Sequence, residues 1–77
     1  MNEAAGGTVR LGNRLKVARA EHGISQEELA RAVGVTRQTI SSIETSTYCP
    51  STLLAFRLAE YLKENVDELF YLEKEQS

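Results

Sequence analysis

Cysteine and histidine are nearly absent from this sequence of 77 residues, which contains only Cys49 and His22. A single thiol cannot form a disulfide within the chain, and this favours a reducing compartment. Two candidate ligands are also too few for a structural zinc site. We therefore expect neither an internal disulfide nor a bound metal.

Long apolar runs are missing as well. No stretch is long enough to cross a bilayer, and the first residues lack the apolar segment of a signal peptide, so we expect a cytoplasmic protein that contacts no membrane. The sequence also has no glycine-rich phosphate loop, no cofactor motif, and no serine, histidine and acid spaced as nucleophile, base and orienting group. These absences predict that the protein is not an enzyme and binds no cofactor.

Two short amphipathic helices joined by a tight turn are predicted between Ser25 and Glu44. Ser25 suits an N-cap, and Glu28 three residues later completes a capping box. Gly34 ends the first helix in the left-handed conformation that glycine adopts without strain, and Thr36 caps the second helix. The apolar positions that would face a core are Leu29, Ala30 and Val33 in the first helix, and Ile40 and Ile43 in the second.

The flanking segments predict three more helices. One covers residues 13–22, with Leu11, Leu15 and Ala18 on its inner face; another covers residues 51–63; and a last one is capped by Asn65, with Glu68 in the capping-box position. Residues 8–11 suit either a short strand or the lead-in to the first helix, and residues 70–72 suit a short strand. We expect a disordered arm over residues 1–8, a single domain over residues 9–72 and a charged tail over residues 73–77.

The string S-Q-E-E-L-A…G-V-T-R-Q-T-I-S-S-I-E resembles the helix-turn-helix of the phage-repressor and Cro-like (XRE-type) transcription regulators of bacteria and phages. The resemblance runs from about Leu11 to Phe70, with P-S-T-L-L-A-F-R-L-A and N-V-D-E-L-F at the family's fourth and fifth helices. It implies an all-α fold, a compact five-helix bundle of the lambda-repressor type, with the terminal segments as a candidate strand pair. It also implies a repressor that binds double-stranded DNA as a homodimer on an inverted repeat, with its third helix in the major groove.

The polar residues of that third helix are the expected base contacts. Gln38 near its N-terminus can bond to adenine N6 and N7 together. Arg37 can pair with guanine or only with a phosphate, and we leave both open. Ser41 and Ser42 are small enough to let the helix lie deep in the groove and to bond a base directly or through water.

Phosphate contacts are expected around this helix. The resemblance implies that Gln26 grips a phosphate together with the N-terminus of the second helix, although Gln26 and Thr36 would also serve by capping alone. The loop after the third helix has hydroxyls where the family often has a glycine and a basic residue, so hydroxyls and backbone N–H groups would hold phosphate there. The expected backbone contacts are Gln26, Thr36, Thr39, Thr45, Thr47, Arg14 and Lys16.

Two further sets of residues are implied as structural. The resemblance matches Arg19 and Glu44 to an ion pair that links the first helix to the end of the third. The C-terminal half has more apolar residues than the core needs, and these predict a two-fold dimer interface. Its expected members are Leu53, Tyr61, Phe70, Tyr71 and Leu72, of which Phe70 is also expected to close the core with Val66 and Leu69.

Charge is divided unevenly along the chain, whose net charge is −2. Residues 8–45 include six basic and four acidic side chains, whereas residues 46–77 include three basic and six acidic ones. This polarity would orient the domain on a duplex, and the modest positive charge predicts weak non-specific binding. An antitoxin or adaptor-type module, which binds a second protein through the acidic, apolar-rich half, is the alternative function.

Overall fold

Five helices are closed by a two-stranded antiparallel sheet in the computed structural model, which describes residues 9–74. The elements in chain order are β1 (Val9–Asn13), α1 (Leu15–Glu21), α2 (Gln26–Val33), α3 (Arg37–Glu44), α4 (Thr52–Leu62), α5 (Val66–Leu69) and β2 (Phe70–Lys74). The all-α class is therefore too narrow, because the two terminal segments are strands. The predicted arm, residues 1–8, and residues 75–77 of the predicted tail lie outside the described residues, and Glu73 and Lys74 belong to β2.

Side-chain caps explain where three of the helices begin. The hydroxyl oxygens of Ser25, Thr36 and Ser51 accept hydrogen bonds from backbone N–H groups three residues later, at 3.0, 3.2 and 3.1 Å. Each bond satisfies a donor that the first helical turn would leave without a partner. At Asn65 the predicted side-chain cap is absent, and only the backbone oxygen of that residue accepts from the first turn of α5.

The end of α4 is unusual because Lys63 takes the left-handed conformation, with φ of 58°. A glycine commonly occupies this position, since it has no Cβ to clash. The Glu64 N–H donates to the Ala59 oxygen at 2.9 Å and so closes the last turn despite the missing glycine.

The core lies between the helices and is almost entirely aliphatic. Leu11 was predicted on the inner face of the first helix, but it lies in β1 and packs against the core from there. The reason is that the paired strand ends at Asn13 and α1 begins only at Leu15. Phe70 is 7% exposed and belongs to this core, so a single subunit does not present it as an interface residue. The buried apolar residues are Leu15, Ala18, Leu29, Ala30, Val33, Ile40, Ile43, Leu54, Leu58, Ala59, Leu62, Leu69 and Phe70.

The sheet pairs the two ends of the described chain. Leu11 lies opposite Leu72, and Gly12 lies opposite Tyr71. A Cβ atom at Gly12 would overlap the Tyr71 ring and would lie 2.9 Å from its Cζ, so the ring rests directly on the glycine backbone. Close approach therefore favours glycine at this position.

Candidate nucleic-acid interface

The outward side of α3 carries the residues that were predicted to contact bases. Ile40 and Ile43 are buried, whereas Arg37 and Gln38 are exposed and Ser41 and Ser42 are half-buried. Successive helical residues are rotated by about 100°, which places Gln38 opposite the isoleucines with the two serines beside it. Arg37, Gln38, Ser41 and Ser42 therefore form one polar face of α3.

A largely buried ion pair fixes α3 against α1. The Arg19 Nε donates to Glu44 Oε2 at 2.7 Å, and Arg19 Nη2 donates to Glu44 Oε1 at 3.4 Å. The two side chains are 16% and 5% exposed. Arg19 also donates to the Ile24 oxygen at 3.0 Å, so the guanidinium spans α1, the following turn and α3. Such paired bonds set an orientation as well as a distance.

The ion pair continues into α2 through a glutamine. Gln26 Nε2 donates to Glu44 Oε1 at 3.0 Å, and Gln26 Oε1 accepts from Arg37 Nη1 at 3.3 Å. We call Arg19, Glu44, Gln26 and Arg37 the interface network. It holds the expected phosphate ligand of α2 and the first residue of α3 in one arrangement before any duplex is bound. Both side chains keep further donors, since an amide nitrogen carries two N–H groups and a guanidinium five.

The loop after α3 was expected to grip phosphate with hydroxyls and backbone N–H groups, but these donors already have partners. Thr45 Oγ1 lies 3.2 Å from the oxygens of Ser41 and Ser42, and Thr47 Oγ1 lies 3.1 Å from the Ser42 oxygen. The backbone N–H groups of residues 45, 46 and 47 donate to the same last turn of α3. The loop therefore caps the C-terminus of α3, because these carbonyls would otherwise lack partners.

The other residues that were expected to contact phosphate differ in whether the structure already gives them a partner. Thr36 caps α3, and its hydroxyl lies 3.0 Å from the Thr39 hydroxyl. Arg14 pairs with Glu64 at 3.1 Å and with Glu21 at 3.7 Å, so its charge is largely compensated. Lys16 is exposed and forms no ion pair within residues 9–74.

Asn13 is a positioning residue that the sequence analysis missed. Its Nδ2 donates to the Ile43 oxygen at 2.9 Å, and its Oδ1 accepts from the Leu15 N–H at 3.0 Å. The side chain thus joins β1 to the start of α1 and to the last turn of α3. Asparagine readily forms such short-range bonds to the backbone, but the bond to Ile43 crosses 30 positions and has no local signal.

Four of the five predicted dimer residues are exposed, and they lie on two surfaces. Leu53 and Tyr61 are 67% and 42% exposed on α4, and Tyr71 and Leu72 are 42% and 72% exposed on β2. Phe56 is also exposed on α4. Within residues 9–74 no helix has the length and apolar character to span a membrane, and no three or more His, Cys, Asp or Glu side chains cluster as metal ligands.

A capped α2, a tight turn at Gly34 and a capped α3 with a free polar face define a helix-turn-helix DNA-binding domain. A helix-turn-helix family model matches residues 15–69. The chain belongs to this family, whose members are DNA-binding transcription regulators and not enzymes.

Relatives occur in bacteria and archaea. The chain is 44% identical over 63 residues to YgzD, an uncharacterized HTH-type transcriptional regulator of Bacillus subtilis (strain 168), covering 82% of this chain and 96% of the relative. It is 42% identical over 64 residues to an uncharacterized HTH-type transcriptional regulator of Methanocaldococcus jannaschii, covering 83% and 97%. Among solved structures, the restriction-modification controller protein C.AhdI of Aeromonas hydrophila is similar with a TM-score of 0.67 and 31% identity, over 71% of this chain and 80% of that one.

Proposed function

We propose that this protein is a cytoplasmic transcription repressor that binds an inverted-repeat operator as a homodimer, with α3 of each subunit in a major groove. The interface network carries the proposal, because it fixes the polar face of α3 relative to the N-terminus of α2. A rigid relation between these two elements lets one phosphate contact set the register of the base contacts. Half-sites would then lie about 34 Å apart, one turn of the duplex.

Each residue of the interface has a distinct role in this proposal. Gln38, Ser41 and Ser42 face base edges, and Gln26 holds a phosphate at the N-terminus of α2. Arg37 leans towards Gln26, which favours a phosphate contact for one of its nitrogens while its other donors reach a base.

The backbone contacts have a graded order in the proposal. Thr36 and Lys16, which are exposed, and Thr39, which is half-buried, reach phosphates around α3 and α1. Arg14, Thr45 and Thr47 would first have to release their present partners, so they contribute least.

Selection of random duplexes by the purified protein tests the proposal. Wild-type protein is compared with Gln38→Ala and with Asp67→Asn, a control at an exposed residue of α5. The expected result is an enriched inverted repeat that loses definition at one base pair per half-site in Gln38→Ala and is unchanged in Asp67→Asn. A folded wild-type protein that enriches no sequence would overturn the proposal.

A second candidate function is favoured by the exposed apolar side chains of α4. Leu53, Phe56 and Tyr61 leave a surface on this helix that suits a second protein, as in an antitoxin or adaptor module. This candidate predicts that Leu53→Glu leaves the selected duplex unchanged but abolishes binding of the partner encoded beside the gene. Equal binding of that partner by the wild-type and Leu53→Glu proteins would exclude this second function.

A further inference from the structure

We infer that a second copy of this chain adds to the outer edge of β2, so that the two sheets join into one four-stranded antiparallel sheet across a two-fold axis. The inference rests on the proposed homodimer and assigns its surface to the sheet instead of α4. The contact surface would consist of the unpaired backbone groups of β2 and the side chains of Tyr71 and Leu72.

The edge of β2 is open within the described part of the chain. The sheet there consists of β1 and β2 alone, so each strand has one edge without a neighbouring strand. The side of β1 borders a cleft shared with the loop of residues 46–50, and no residue of β2 lines that cleft. An edge strand presents unpaired N–H and C=O groups that another strand can satisfy.

The side chains of β2 also favour a neighbour. Leu72 lies at the middle of the strand and is 72% exposed, which is more than any other large apolar residue between Val9 and Lys74. Natural edges usually carry charges or proline where pairing is to be prevented, whereas here the charged residues Glu73 and Lys74 lie only at the end of the strand. Pairing of two edges would bury both Leu72 side chains against each other.

The sequence of β2 is self-complementary in one register. A two-fold axis at Leu72 places Leu72 opposite its own copy, Phe70 opposite the second copy's Lys74, and Tyr71 opposite the second copy's Glu73. No like charges face each other, and all five residues of the strand are paired. An axis at Glu73 would place two carboxylates face to face, and an axis at Tyr71 would leave Glu73 and Lys74 opposite α5.

Disulfide trapping in the absence of DNA tests this register. In a Cys49→Ser background, Leu72→Cys is compared with Leu53→Cys, which places a thiol at a similarly exposed apolar position on α4. Directly opposite residues of an antiparallel pair have Cα atoms about 4.5–5.5 Å apart, which lies within the range that a disulfide bridges. Under mild oxidation we expect Leu72→Cys to form a covalent dimer at least about tenfold faster than Leu53→Cys.

Several outcomes would overturn the inference. They are faster trapping of Leu53→Cys, no trapping of either variant in a protein that light scattering shows to be dimeric, or a monomeric parent protein. Because trapping is measured without DNA, a failure of DNA binding can be distinguished from a failure of the sheet-edge dimer. Enrichment of an inverted repeat without trapping overturns the sheet edge alone, whereas trapping without enrichment retains the edge and overturns DNA binding.

A charge substitution gives a second measurement that does not depend on thiol chemistry. Leu72→Glu would place two carboxylates opposite each other and remove the apolar contact, so we expect the dimer dissociation constant to rise by about tenfold or more. Leu53→Glu is the matched control and should leave it unchanged. Circular dichroism should show both variants folded, since both side chains are exposed in one subunit. Equal weakening by both substitutions would contradict the sheet-edge dimer.

Discussion

The Glu44 carboxylate joins α3 to the two helices that lie beside it at the interface. Oε2 accepts from Arg19 of α1, and Oε1 accepts from both Arg19 and Gln26 of α2. The Glu44 side chain is 5% exposed, so its charge depends on these partners instead of on water. The angle of the polar face of α3 is therefore set by one residue at its far end.

Removing the negative charge of Glu44 should destabilise the fold. Glu44→Gln leaves the mostly buried Arg19 guanidinium without an anion, and we expect the free energy of unfolding in urea to fall by about 3 kcal/mol. The control is Glu73→Gln, which breaks the Arg10–Glu73 pair, whose side chains are 61% and 45% exposed. That loss should stay below about 1 kcal/mol because exposed pairs are weak. Equal losses would mean that the Arg19–Glu44 pair contributes no more than a surface pair.

Gln38 has the opposite character, since its loss should affect recognition without affecting stability. Its side chain is exposed and, within residues 9–74, forms a single long bond, from Nε2 to Ser42 Oγ at 3.4 Å. We expect Gln38→Ala to reduce discrimination at one base pair of the selected operator by roughly 1–3 kcal/mol, with the urea midpoint unchanged. Competition binding against single-base variants of the operator measures this difference. Uniform weakening across all variants would reassign Gln38 to a phosphate.

At the scale of elements, the end of α4 offers a stabilising substitution. Lys63 has a φ of 58°, a conformation that costs a side chain with a Cβ but costs glycine little. We expect Lys63→Gly to raise the free energy of unfolding by about 0.5–1 kcal/mol, whereas Lys63→Ala should not raise it. A gain from the alanine variant would show that the charge of Lys63, and not its backbone, is unfavourable.

Asn13 connects three elements through two separate bonds, and two substitutions distinguish them. Asn13→Asp keeps the acceptor for the Leu15 N–H but loses the donor to the Ile43 oxygen, whereas Asn13→Ala loses both. We expect each variant to be destabilised by about 0.5–1.5 kcal/mol, because the Ile43 oxygen loses one donor and keeps the Ser46 N–H at 2.9 Å. Hydrogen exchange at the Leu15 amide should remain slow in Asn13→Asp and become fast in Asn13→Ala. Fast exchange in both would show that the aspartate does not retain this bond.

The elements that local signals specify were predictable from the sequence. Ser25 and Thr36 cap their helices, and Gly34 closes α2 with φ of 84°. These signals act within a few residues, so a single sequence reveals them. The sheet instead depends on a partner strand at the other end of the chain. For this reason residues 9–13 were partly assigned to the first helix, and the pairing of β1 with β2 was left open.

The candidate site was predictable to the same degree. The positions on the polar face of α3 follow from helical periodicity alone, and Arg19 and Glu44 follow from the family resemblance. Neither helical periodicity nor the family resemblance shows which of several possible acceptors a given side chain binds. The Thr45 and Thr47 hydroxyls, which were expected to bind phosphate, lie 3.2 and 3.1 Å from the Ser42 oxygen, so a phosphate contact would require them to leave this carbonyl. Which acceptor a hydroxyl takes depends on three-dimensional distances that the sequence does not record.

For the whole molecule, the ion pairs reduce the charge that is available to a duplex. Of the six basic residues between positions 8 and 45, Arg10, Arg14 and Arg19 each pair with a carboxylate. The other three, Lys16, Arg31 and Arg37, form no ion pair within residues 9–74. Positions 8–45 therefore hold three basic side chains that are not committed to a carboxylate within the described residues.

This charge distribution predicts a shallow salt dependence. If three side chains per subunit neutralise phosphates, the logarithm of the operator association constant should fall against the logarithm of salt concentration with a slope no steeper than about −5 for a dimer. Fluorescence anisotropy titrations of the selected operator over a range of salt concentrations measure the slope. A steeper slope would require the paired arginines to exchange their carboxylates for phosphates.

The sheet also has a consequence for the order in which the chain folds. Val9 lies opposite Lys74, and Arg10 contacts Glu73 across 63 positions of sequence, so the ladder closes nearly all of the described chain into a loop. Because the entropy of closing this loop is lost before the strands gain any bond, we expect the sheet to form late and to open early. If β2 is also where subunits meet, a newly made chain at low concentration would complete its helices alone, and the arrival of a second chain would finish the fold of both.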